Sequence, residues 1–85
     1  MNAIQENNLH ETAEVLGIWE SRGGKWRAEL VRNKAGAWRL EEFKSGKSCG
    51  CASRPAGFFA NDKEAIAWAS GFVAGGFDVA MHPVL

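Results

Sequence analysis

Between Trp26 and Phe43 the chain reads WRAELVRNKAGAWRLEEF, two runs in which apolar and charged side chains alternate across a short break. Period-two alternation is strand chemistry, because successive side chains leave a strand on opposite sides. In the first run Trp26, Ala28 and Leu30 share one side, and Arg27, Glu29 and Val31 the other. In the second, Trp38, Leu40 and Glu42 oppose Arg39, Glu41 and Phe43. Asn33 to Gly36 is turn chemistry, so the runs predict an antiparallel hairpin whose Trp and Leu side is core and whose Arg and Glu side is surface.

The remainder of the chain extends this hairpin. Met1 to about Glu11 is polar and weakly patterned, and is expected as a loose N-terminal arm over 1–12, with the single domain over 13–85. Ala13 to Glu20 reads as a first strand, although Asn8 followed by Glu11 also fits the capping box of a short helix. Ser-Arg-Gly-Gly at 21–24 turns the chain into the hairpin. Lys44 to Gly57, rich in Gly, Ser, Lys, Cys and Pro, reads as a long surface loop. Phe58 to Ala60 is expected as a short strand. Asn61 then caps a helix with Glu64 three residues on, and Ala65, Ile66, Trp68, Ala69, Phe72 and Val73 form its apolar stripe. Gly75 and Gly76 end it. Phe77 to His82 alternates again as a final strand, with Phe77, Val79 and Met81 inward and Pro83 closing it. The expected class is α+β, an antiparallel sheet of four or five strands with one helix packed on one face.

Eighty-five residues supply one core and no second domain. The net charge is zero, yet unevenly spread. Residues 1–20 hold Glu6, Glu11, Glu14 and Glu20 and no Lys or Arg. Residues 21–54 hold nine cations, Arg22, Lys25, Arg27, Arg32, Lys34, Arg39, Lys44, Lys47 and Arg54, against Glu29, Glu41 and Glu42. A dedicated nucleic-acid binder has a pI above about 9, whereas this chain has 6.7, so any phosphate attraction must be local. No apolar run reaches the roughly 18 residues of a membrane helix, and the polar start lacks the features of a signal peptide. A cytoplasmic protein with reduced thiols and no membrane partner is expected.

Little in the sequence points to chemistry. Cys49-Gly-Cys51 offers two thiolates, but structural zinc needs four ligands, with paired cysteines usually two to four residues apart. Only His10 and His82, near opposite ends of the chain, could complete a set, so Cys49 and Cys51 are a weak metal alternative and no cofactor is expected. Neither histidine has a spacing cue to a nucleophile. Glu41 and Glu42, adjacent on a strand, point to opposite faces and cannot share a proton-transfer site. The glycines at 71, 75 and 76 follow a helix rather than opening one, which is not where phosphates are cradled. An enzyme is not expected.

What remains is surface. One helix covers one face of the sheet, and the other presents Arg27, Glu29, Arg39, Glu41 and Phe43. Trp19, on a strand with apolar residues on both sides, is the expected exposed aromatic anchor, with Lys44 and Lys47 contributing from the loop. GKWRAEL, AWRLEEF and FFANDKEAIAWA are loosely similar in order to the three-strand-plus-helix DNA-binding domains of AP2-type regulators and of tyrosine integrase N-termini, and that resemblance implies a sheet laid in the major groove. The leading expectation is a non-enzymatic protein-interaction inhibitor or adaptor that docks through the exposed sheet face and the 44–57 loop. Small accessory proteins of phages and other mobile elements, anti-CRISPR inhibitors among them, share this size and lack of motifs. The alternative is nucleic-acid binding through the basic sheet.

Overall fold

The computed structural model describes residues 13–75 and 79–85; the expected arm over 1–12, with His10, lies outside the described residues, as does Phe77. Five strands and one helix follow in the order β1 (Glu14–Ser21), β2 (Trp26–Arg32), β3 (Trp38–Lys44), β4 (Lys47–Arg54), α1 (Asp62–Gly75) and β5 (Met81–Pro83). The fold is α+β: an open antiparallel sheet, ordered β4-β3-β2-β1-β5, carries α1 on one face.

Cross-strand register shows how the hairpin pattern becomes a core. Leu30 stands opposite Leu40, and Ala28 lies between Trp19 and Glu42, so these side chains share the helix face. Trp19, Ala28, Leu30, Trp38 and Leu40 are buried there against Ala65, Ala69 and Val73 of α1. Ile66, Trp68 and Phe72 widen the contact, which reproduces the helical stripe read from the sequence. Asn61 caps α1, its Oδ1 accepting from the Glu64 amide at 3.0 Å. Glu64 reaches back to the amide of Ala60 at 2.8 Å, one residue before the cap, so both exposed donors are satisfied.

Three expectations are corrected. The stretch from Lys44 to Gly57 is not a long loop: Ser45 and Gly46, with φ of 53° and 81°, form a two-residue hairpin turn, and Lys47–Arg54 pairs along the whole of β3. Positive φ at both turn residues matches the twist of the flanking strands. Phe58 to Ala60 is not a strand. It leaves the turn at Pro55 to Phe58 and folds its rings over the helix, with Phe59 5.1 Å from Trp38 and 5.6 Å from Trp68 between ring centroids. The last strand spans Met81–Pro83, with Val79 and Ala80 outside it, and pairs with β1 through Trp19, Glu20 and Ser21. Among the described residues β5 is an outer strand, and its proline removes a donor on the side where no strand is paired.

Candidate functional site

The face away from α1 is built by the alternate residues of each strand. One row across it runs His82, Glu20, Arg27, Phe43 and Ser48, and the next runs Ile18, Glu29, Glu41 and Cys51. A third holds Val15, Val31, Arg39 and Ser53. Arg27, Glu29, Arg39, Glu41 and Phe43, singled out from sequence, therefore do share one surface.

Its charges are paired within the sheet. Arg27 donates from Nε to Glu29 at 2.7 Å and from Nη1 to Glu20 at 3.0 Å. Arg39 lies 3.4 Å from Glu41. Two guanidiniums thus meet three carboxylates, so the face carries no surplus of positive charge. Each pair is partly exposed, and such pairs contribute little to stability; their effect is to set the pattern that a partner meets. Between them lie Ile18, Val31 and Phe43, half-buried, and Val15, exposed.

The other expected site residues are placed elsewhere. Trp19 is not an exposed anchor: it is 5% exposed and packs in the core beneath α1. A register shift between Val15 and Gly17 leaves Leu16 as the extra residue and turns Gly17 and Trp19 to the helix face. Lys44 and Lys47 flank the β3–β4 turn and pair with each other in register, Lys44 also standing opposite Trp26. Trp26, expected in the core, lies outside the core cluster and is half-buried, with the Lys44 ammonium 5.0 Å from its ring centroid.

Cys49 and Cys51 point to opposite sides. A bulge at Cys49 sends its thiol to Glu42, with Sγ 3.5 Å from Oε1, whereas Cys51 stands opposite Glu41 on the open face. The spacing i to i+2 that would align two thiols on a regular strand is broken by that extra residue. Desolvation, then the charge and hydrogen bond of Glu42, push the Cys49 thiol up, while Lys44 pulls it down. His82 sits on the edge strand remote from both: four strand spacings of about 4.8 Å separate its row position from Ser48, about 19 Å in all. Among the described residues no group of His, Cys, Asp and Glu is arranged to hold a metal ion.

Two surface features escaped the sequence reading. One is the row of rings formed by Phe58, Phe59, Trp68 and Phe72, over which the Arg54 guanidinium lies 5.3 Å from Phe58 and 5.1 Å from Trp68. Its signal was the doublet Phe58-Phe59 just ahead of a helix bearing Trp68. The other is the gathering of Arg22, Lys25, Lys44 and Lys47, each a cation named from sequence, at one end of the sheet. There the Ser45 amide donates to the Lys25 carbonyl at 2.8 Å and draws the 21–25 and 45–46 turns together. Among the described residues no helix is long and apolar enough to cross a membrane. Comparison with protein-family models, with characterised proteins and with solved structures finds no match.

Proposed function

We propose that this chain is a non-enzymatic docking module, an inhibitor or adaptor, that engages another protein through the open sheet face and the adjoining β4. One observation supports the reading above all: Arg27 and Arg39 are held by Glu20, Glu29 and Glu41 on their own surface. A phosphate backbone would have to displace those carboxylates, whereas a folded partner can match alternating charge around Ile18, Val31 and Phe43. Interfaces of this kind draw on arginine and aromatic anchors set in a polar rim. The 44–57 segment enters the reading as a strand rather than as a flexible loop.

Immobilised protein exposed to lysate of its native host, with and without nuclease, tests this directly. A protein should be retained under both conditions, and the Arg27→Glu, Arg39→Glu double variant, folded by circular dichroism, should lose it. Retention that disappears with nuclease, or that survives the double variant, overturns the reading.

A further inference from the structure

The two edges of the sheet are unlike. On one side β5 is three residues long and contains Pro83, both of which discourage a further strand. On the other, β4 runs for eight residues, and from Ser48 to Ser53 it carries only Ser, Cys, Gly and Ala side chains. Among the described residues no strand pairs with its outer edge. The bulge at Cys49 kinks the strand beside its turn and leaves Gly50 to Arg54 regular. That run has no proline, and its one charged side chain, Arg54, is turned over the rings of Phe58 and Trp68. The backbone donors and acceptors of β4 are thus shielded by neither bulk nor charge.

Charge is concentrated where this edge begins. Arg22 and Lys25 lie on one turn and Lys44 and Lys47 flank another, the two held together by the hydrogen bond from Ser45 to Lys25. None of the four takes part in an ion pair among the described residues. Among the described residues Glu42 is the carboxylate near them on the helix face, and it accepts from the Cys49 thiol. Among the described residues, the open edge therefore leads directly into a cationic end whose charges form no ion pair.

We infer that β4 is a strand-addition edge whose occupant is an extended, acidic segment of a partner protein; this rests on the protein-docking reading above and specifies the partner's chemistry. The segment pairs its backbone with Gly50 to Arg54, antiparallel as in every other pair of this sheet, and so brings its C-terminal side to the cations. Carboxylates there meet Lys44, Lys47, Lys25 and Arg22. A second copy of this chain fits less well. Two β4 strands paired antiparallel over Gly50 to Arg54 would set each cationic end against residues 54–60 of the other copy, Arg-Pro-Ala-Gly-Phe-Phe-Ala, which hold no carboxylate.

A displayed library of random peptides, about eight residues long to match β4, is the probe. Selection should enrich β-forming sequences with Asp or Glu toward the C-terminal side. Lys44→Glu with Lys47→Glu, exposed and near a turn, should weaken the best peptide by about tenfold or more without unfolding the protein. Two versions of that peptide, N-methylated at alternate residues in opposite phases, separate backbone pairing from side-chain contact: one phase should lose binding and the other keep it. Equal tolerance of both phases, or no enrichment, overturns the edge. Host capture that succeeds while selection fails sinks this inference alone and leaves the docking face standing; loss of both sinks both. A concentration-dependent dimer dissolved by the peptide would assign the edge to a second copy, and generic single-stranded DNA binding more tightly than the best peptide would assign the cations to phosphate, each overturning the acidic protein segment.

Discussion

Trp19 lies so close over Gly17 that a Cβ at Gly17 would sit 2.7 Å from Cη2 of the indole. The two residues are on the same face of β1, two apart, and the ring occupies the space that a side chain at Gly17 would need. Gly17→Ala should therefore destabilise the fold by about 1 to 3 kcal/mol, the usual cost of overpacking a core. Trp19→Phe shortens the ring system and should make the two substitutions less than additive. Urea midpoints of the four proteins check this, and strict additivity would show that the indole does not need the glycine.

Asp62 joins the helix to the sheet through both oxygens. Its Oδ1 accepts from Trp38 Nε1 at 3.2 Å, and its Oδ2 takes a hydrogen bond from Arg32, which also reaches Glu14. A carboxylate in the first turn of a helix is further favoured by the exposed amides there. Asp62→Ala should cost about 1 to 2 kcal/mol, and Asp62→Asn less, since an amide oxygen still accepts from the indole. Thermal melts at low and moderate salt measure both. Equal loss in the two variants would mean that the ion pair, rather than the indole bond, anchors α1.

The parts of this fold that were legible from sequence are those where side-chain type and period agree. Trp38, Leu40, Ala28 and Leu30 alternate without interruption, and Asn61 with Glu64 marks a helix start that the structure reproduces. β4 was hidden because Ser, Cys, Gly and Ala have little strand preference of their own; the strand exists because β3 pairs with it, and strand preference is largely such context. The dipeptide Ser45-Gly46 is the local sign of the turn that reveals it. Trp19 was misplaced for a different reason. An extra residue at Leu16 breaks the alternation, so counting along β1 cannot say which face the indole takes. The bulge at Cys49 likewise undid the pairing that Cys-Gly-Cys suggests. On the open face the alternation places Arg27 and Arg39 at the surface, with Glu29 and Glu41 two residues on in the same strands; only Glu20, set opposite Arg27 by the β1–β2 register, depends on cross-strand pairing.

Cys49 gives a pH-dependent test of that bulge. Its thiol is raised by desolvation and then by Glu42, so at a given pH near its titration range it holds less thiolate than an unperturbed cysteine, and thiolate is the reactive form. Glu42→Gln removes the charge that disfavours ionisation and should speed alkylation of Cys49 by iodoacetamide between about pH 7 and 9. Peptide mapping by mass spectrometry reads the rate at Cys49 separately from Cys51. An unchanged rate at Cys49 would mean that its thiol does not face Glu42.

Generic nucleic acid distinguishes the two sides of the sheet. Arg27 and Arg39 are paired on the open face, whereas among the described residues Arg22, Lys25, Lys44 and Lys47, at one end, take part in no ion pair. Binding of single-stranded DNA should therefore be weak and confined to those four cations. With at most four phosphate contacts on a single strand, the slope of log K against log salt should be no steeper than about −3. Gel shifts and fluorescence anisotropy at low and moderate salt should show this residual binding lost in the Lys44→Glu, Lys47→Glu variant and unchanged in the Arg27→Glu, Arg39→Glu variant. The reverse dependence, tight binding with a steep salt slope that the Arg27 and Arg39 changes abolish, would place phosphates on the open face. That result requires Glu20, Glu29 and Glu41 to release their arginines, and it would replace protein docking with nucleic-acid recognition as the function of this surface.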